Sequence, residues 1–219
     1  MKKFQDRHHA GVILARELAD YAGRSDVIVL GLPRGGVPVA YEVATALAAP
    51  LDVLMVRKLG APQNEELAIG ALASDGMYVI DRRMVADLGI SERQIASIIE
   101  RETLELKRRD QLYRGTRPFP DLTGRVVIVV DDGLATGSTM RAAVEALRAR
   151  HPARVIAAAP VASASACATL RQAADGCVCA TSPEPFYGVG MWYEDFSQTT
   201  DHEVIVLLDR SARRDATVT

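Results

Sequence analysis

The sequence predicts an α/β fold: a mainly parallel, twisted sheet flanked by helices. Three observations carry this. Two runs, Asp26 to Gly31 (DVIVLG) and Val126 to Val130 (VVIVV), are apolar at almost every position, as strands buried on both faces must be. Each run opens into a turn of small residues and then a helical stretch, LPRGG after the first and DDGLATGST after the second. Along the chain about six strands alternate with helices, the order that builds parallel sheets.

A length of 219 residues suits a single domain with a proper core. Apolar content of 48% with 25% charged residues is that of a soluble globule, so a disordered or fibrous chain is not expected. A net charge of −2 offers no long-range attraction for nucleic acid, which makes a nucleic-acid partner unexpected. The start, MKKFQDRHH, lacks the apolar segment of a signal peptide, and no run of about 18 apolar residues could span a membrane. The expected location is the cytoplasm. Cys167, Cys177 and Cys179 are too few for a disulfide framework. Cys177 and Cys179 face the same way on a strand, no third ligand lies at metal spacing, and buried thiols are expected.

Taken in order, His8 to Tyr21 carries apolar residues at helical spacing and ends at Gly23, with His8 and His9 at a solvated helix start. After the first strand, LPRGG leads into a helix through about Ala48. Leu51 to Arg57 reads as the second strand, delivering Arg57 and Lys58 into a mobile polar loop, LGAPQNEE. AIGALAS and GMYVID, joined at Ser74-Asp75-Gly76, read as a hairpin. Within Asp81 to Arg117, Ser91 and Gln94 make a capping box, and Ile95, Ile98, Ile99, Leu106 and Tyr113 trace one face of a long helix. Its other face turns basic at Lys107, Arg108, Arg109 and Arg114. This helical insertion covers a crevice, makes a subunit interface or is simply solvated.

The stretch from Val126 to Thr139 carries the chemistry. Strand, paired Asp131 and Asp132, a turn of Gly133, Ala135 and Gly137, then hydroxyls at Thr136, Ser138 and Thr139 lead into a helix running to about Arg150. Backbone N–H groups and the positive end of the helix dipole would meet in one concavity suited to phosphate. The turn has no lysine and no GxGxxG, so the common nucleotide loops are excluded. Carboxylates repel phosphate, so Asp131 and Asp132 should serve sugar hydroxyls or a magnesium ion on the same ligand. Later strands fall at Arg154 to Val161 and Cys177 to Thr181, with a helix from Ser163 to Ala174 between them. The tail holds Phe186, Tyr187, the sole tryptophan Trp192, Tyr193 and Phe196, a plausible wall for a flat base. Ser211 to Thr219 is polar and expected to fray.

The Val126 to Thr139 stretch resembles the phosphoribosyl-diphosphate (PRPP) signature of the type I phosphoribosyltransferases. The resemblance implies a single domain over 1–219, with a core over about 25–208, a helical insertion over about 81–117, and a small hood from about 1–22 and 183–203. It implies transfer of phosphoribose from PRPP to a nitrogen heterocycle, with Asp131, Asp132, Lys58 and Arg57 in catalysis. Ala135, Thr136, Gly137, Ser138 and Thr139 would hold the 5′-phosphate. Pro33, Arg34, Gly35 and Gly36 would hold pyrophosphate. Phe186 matches the aromatic that stacks on the base in purine-type members, with Tyr187 and Trp192 beside it. Mg²⁺ is the implied cofactor, held by Asp131, Asp132 and an acid at Glu194 or Asp195. A homodimer is implied as well. Enzymes for hypoxanthine and guanine carry an acid where this chain has Ala135, so an amino-purine such as adenine is the expected acceptor. Two alternatives use the same site: a PRPP-sensing regulator, whose second surface would be the Lys107 to Arg114 cluster, and a hydrolase of PRPP or a nucleotide.

Overall fold

The computed structural model describes residues 3–74 and 76–218. In chain order, α1 (Arg7–Glu17), β1 (Val27–Gly31), α2 (Gly36–Leu47) and β2 (Leu51–Val53) come first. Then follow β3 (Val56–Ala61), β4 (Asn64–Ala73), β5 (Tyr78–Ile80), α3 (Arg82–Asp87) and α4 (Glu92–Arg114). The last elements are β6 (Val126–Val130), α5 (Ser138–Arg148), β7 (Arg154–Val161), α6 (Ala164–Ala173), β8 (Gly176–Thr181) and α7 (Asp201–Val218). Five strands form one sheet in the order β2-β1-β6-β7-β8, and every pairing is parallel. The expected mainly parallel α/β architecture is present. Among the described residues no helix is long and apolar enough to cross a membrane.

The sheet forms because its central strands have nothing to offer water. Val126 to Val130 are all buried, and alternate side chains enter opposite apolar clusters. Val126, Ile128 and Val130 join Val39, Val43 and Leu207 on one face, while Val127 and Val129 join Met140, Val144 and Leu170 on the other. Each such side chain contributes about 1.5–3 kcal/mol relative to exposure. The strand order reverses between β1 and β6: β1 leads outward to β2, and β6 leads the other way to β7 and β8. Open parallel sheets bind ligands at such a point, outside the strands' carboxyl ends. Gly31 pairs with Val130 there, so both small-residue turns leave the sheet side by side.

Several sequence expectations need correction. The second strand ends at Val53, and Arg57 and Lys58 lie in β3 rather than in a mobile loop. β3 pairs antiparallel with β4, and β4 with β5, in a separate three-stranded sheet. Leu59 and Ala61 of β3 are buried, an alternation hidden by the Gly, Pro and Gln around it. The hairpin between β4 and β5 is present, although Asp75 lies outside the described residues. The first helix stops at Glu17, and a short 3₁₀ turn continues it over Ala19–Tyr21. Instead of fraying from Ser211, the tail continues α7 to Val218; Ser211 is buried, and Arg214 donates to Ala49 O and Thr45 Oγ1. Thr219 lies outside the described residues.

In α4 the Ser91–Gln94 capping box is present, and Ile95, Leu106 and Tyr113 are buried. The supposed basic face is different. Arg108 and Arg109 both pair with Glu105, and Arg114 points inward, donating to Val53 O at 2.8 Å between Asp52 and Asp110. Burial raises the Asp52 carboxyl above its ordinary value, and the Arg114 charge opposes that rise. Arg114 therefore ties α4 to the sheet edge at β2. Removing one partner of a buried ion pair leaves the other uncompensated. Arg114→Ala is expected to lower the unfolding free energy by about 3 kcal/mol, measured by urea denaturation. A loss below about 1 kcal/mol, the worth of a surface pair, would contradict a buried anchor.

Candidate functional site

At the switch point the two turns are pressed together. Leu32 N donates to Val130 O at 2.9 Å, which carries the first turn alongside the end of β6. A Cβ on Gly36 would lie 2.6 Å from Val130 O and 2.9 Å from Asp131 Cα. A Cβ on Gly35 would lie 2.0 Å from Asp132 Oδ2. Glycines are required here because the backbone of one turn occupies the space beside the acids of the other. The Pro33–Arg34 peptide in this turn is cis.

The second turn is held from behind. Leu134 N donates to Val161 O, Ser163 N to Leu134 O, and Ser163 Oγ to Ala135 O at 2.7 Å. Gly137 is the N-cap of α5 at φ 72°, a left-handed conformation natural to glycine. Gly137 has no side chain to cap α5; Ser138 N donates to Thr136 Oγ1 at 3.3 Å, and the positive end of the helix dipole lies at this turn, as suits an anion. Thr136 Oγ1 lies 2.9 Å from Ser138 Oγ, which gathers the hydroxyls at the same mouth.

Two cavities open on this mouth. One, of about 900 Å³, is lined by Arg57, Lys58, Ile98, Arg101, Glu102 and Glu105 together with Thr136, Ser138 and Thr139. The other, of about 650 Å³, lies under the hairpin and shares Lys58, Thr136 and Ser138 with the first. Lys58 and the phosphate-type turn are thus brought together, although they lie far apart in the sequence. Arg57 pairs with Glu102 at 2.5 Å and so ties the hairpin to α4. Arg34 lies elsewhere, in a cavity of about 250 Å³ with Arg108, Arg109 and Tyr113, and pairs with Asp201 at 3.9 Å. The Tyr113 hydroxyl also bonds Asp201; burial, then that bond, pushes the phenol up to about 12.

Asp131 and Asp132 line neither of the two large cavities. They sit at the strand end behind Gly35. Asp132 N donates to Asp131 Oδ1 at 2.9 Å, and Arg7 Nε donates to Asp132 Oδ2 at 2.8 Å. Burial, then the neighbouring Asp132 charge, raises the Asp131 carboxyl well above its ordinary value. Burial raises Asp132 as well, against the hydrogen bond and charge of Arg7. Arg7 went unnoticed in the sequence, where it is one cation at a helix start. It also donates to Ser197 O and lies 4.0 Å over the Phe196 ring. Tyr193 is a second residue not anticipated in this position: its hydroxyl donates to Asp132 O at 2.6 Å.

The aromatic tail splits. Phe186 and Trp192 pack against the small cluster of Phe4, Ala10, Val161 and Tyr193, whereas Tyr187 is 81% exposed. Glu194 and Asp195 are exposed, and their N–H groups donate to Phe4 O and Gln5 O. The Asp195 carboxylate accepts from Ser197 N, which holds it below its ordinary value. The cysteines need a correction: a third sulfur does stand beside Cys177 and Cys179, that of Cys167 on α6.

The sequence model of the phosphoribosyl transferase domain matches residues 8–188. A Mycobacterium tuberculosis protein, provisionally named a phosphoribosyl transferase, is 45% identical over 213 residues, which are 97% of this chain and 48% of that protein. The chain thus spans about half the length of these curated relatives. The solved structure of TT1426 from Thermus thermophilus superposes with a TM-score of 0.86 at 41% identity, over 95% of this chain and 98% of that one. A Brevibacillus brevis protein named bifunctional protein PyrR is 32% identical over 88 residues, 38% of this chain and 49% of that protein.

The buried acids generate a pH prediction. A carboxyl whose folded-state pKa is raised stabilises the fold below its unfolded value of about 3.9. That contribution is lost as pH rises through the folded value, with a slope of up to about 1.4 kcal/mol per pH unit for one proton. Metal-free protein should therefore lose stability on the alkaline side of about pH 4, and Asp131→Asn should flatten that loss and melt higher at neutral pH. Urea denaturation at stepped pH checks it; parallel curves for the two proteins would contradict a penalised Asp131 charge.

Proposed function

This chain belongs to the phosphoribosyl transferase family, and on that premise we propose that it moves phosphoribose from PRPP to a nitrogen heterocycle, releasing pyrophosphate. The observation that carries the proposal is the small-residue turn that follows the two buried acids and meets Lys58 of β3 in one cavity through Thr136 and Ser138. In the reaction the acceptor nitrogen bonds to ribose C1 as the C1–O bond to pyrophosphate breaks. Positive charge grows on the sugar ring, and negative charge grows on the leaving group.

Each residue has work suited to its place. Backbone groups of Ala135 to Thr139 anchor the 5′-phosphate, a handle that fixes the reacting carbon at a distance. Asp131 and Asp132 accept from the ribose hydroxyls and lie next to the growing ring charge. Lys58 and Arg57 come down from the hairpin side of the cavity, and Lys58 offsets charge on the departing pyrophosphate. Pro33 to Gly36 supply backbone to the pyrophosphate from the β1 turn. The donor set at the strand end is all carboxylate oxygen, which suits Mg²⁺, and a cation would relieve the desolvated acids. Asp131 and Asp132 would hold that ion, with Glu194 or Asp195 on the hood; bound there, it supplies positive charge that stabilises the leaving group.

For the acceptor, Ala135 offers no carboxylate to take a proton from an oxopurine ring. An amino-purine such as adenine is therefore the proposed acceptor, with Phe186, Tyr187 and Trp192 as its wall. A regulator reading is weaker, since Arg108 and Arg109 share the single carboxylate of Glu105 and Arg114 is buried, which leaves a smaller basic surface. The test is pyrophosphate release from PRPP and Mg²⁺ with adenine, hypoxanthine, guanine, xanthine, uracil and orotate in turn. Turnover with adenine well above the rest is the expected result. Preferred turnover of hypoxanthine or guanine would refute the Ala135 argument, and release with no base at all would replace the transferase by a hydrolase.

A further inference from the structure

All three of the chain's cysteines meet at one place on the far side of the sheet from β2. Cys167 projects from α6 and is buried; Cys177 and Cys179, two apart on the edge strand β8, are half-buried. The Cys167 and Cys179 sulfurs lie 3.2 Å apart, those of Cys177 and Cys179 3.9 Å apart, and all three fall within 4.8 Å of one another. They are free thiols, and no His, Asp or Glu joins them in this group among the described residues.

From this geometry we propose that Cys167, Cys177 and Cys179 form a binding site for a thiophilic metal ion of the zinc type. A tetrahedral zinc with bonds to sulfur of about 2.3 Å sets its sulfurs about 3.8 Å apart. The two spacings of 3.2 and 3.9 Å lie on either side of that value, and opening the shorter one by about half an ångström would bring both pairs to zinc-ligand separation. Three soft thiolates favour zinc or its heavier congeners over magnesium or calcium. The half-exposed position on an edge strand leaves the fourth coordination place to water. Binding expels the thiol protons to solvent and clips α6 to β8. The clip is relevant to the rest of the molecule because Ser163, the N-cap of α6, is also the residue whose hydroxyl holds Ala135 O. The site is independent of the transferase reading and stands or falls separately.

The experiment uses the full chain, reduced and freed of metal, titrated with Cd²⁺ as the optical probe and Zn²⁺ as competitor. Expected are one Cd²⁺ per chain, thiolate-to-cadmium charge-transfer absorption, displacement by Zn²⁺, and protection of all three thiols from a disulfide reagent. Cys177→Ser, at a half-exposed position that leaves the metal-free melting temperature unchanged, should weaken binding by at least about tenfold, the loss expected even for an outer partner of a metal site. Absence of the charge-transfer band, or Cd²⁺ binding in Cys177→Ser equal to the parent, would overturn the proposal. So would a Cys167–Cys179 disulfide that forms at the same rate with and without saturating Zn²⁺.

Discussion

The structure depends on one close approach: the glycine turn after β1 lies directly against the acidic end of β6. Gly31 and Val130 are paired in register, so the two chains leave the sheet with no room between them. Only a residue without a side chain fits at Gly35, where a Cβ would meet Asp132, and at Gly36, where it would meet the β6 backbone. The parallel order β2-β1-β6-β7-β8 creates this neighbourhood, since it sets β1 beside β6 at the point where the strand order reverses. The apolar strands supply the stability, and the small residues at their ends supply the cleft.

That arrangement places negative charge where water is scarce. Asp131 and Asp132 carry a desolvation cost that Arg7 only partly offsets. Replacing such groups commonly stabilises a protein, and sites kept despite the cost are candidates for binding. Residues near α1 and in the aromatic tail contribute to the same balance. Tyr193 holds the Asp132 carbonyl, the tilted rings of Phe4 and Tyr193 pack with centroids 5.4 Å apart, and Arg7 joins Asp132 to Ser197. The acids are thereby coupled to both ends of the chain. A ligand that engages Asp132 has to share it with Arg7, so affinity at the site and order in these segments are linked.

What could be read in the sequence was whatever is encoded locally. An all-apolar run followed by two acids and a Thr-Gly turn marks a strand end and a helix start within a few residues. The capping box at Ser91 and Gln94 is equally local. Contacts across the chain were not legible: Arg7 meets Asp132 over 125 residues, and Cys167 meets Cys179 because α6 folds back on β8. The β3–β4 hairpin was obscured by its polar, Gly- and Pro-containing sequence, although buried Leu59 and Ala61 fix its inner face. Arg114 looked like surface charge because a sequence does not reveal that Asp52 and Asp110 await it inside.

Close packing of the β1 turn on the acids would shape the proposed PRPP site. Gly35→Ala tests it directly, because Gly35 has φ −61° and ψ −31°, a backbone that alanine adopts freely, so the strain falls on the Asp132 carboxylate and on Arg7 Nε, 3.1 Å from the added Cβ. Calorimetric titration of PRPP with Mg²⁺ into the parent and the variant is the measurement. At least about 100-fold weaker binding is expected, the scale of a 1 Å misplacement in a positioned site, with the far-ultraviolet circular dichroism spectrum unchanged. Equal affinity in a folded Gly35→Ala protein would contradict it.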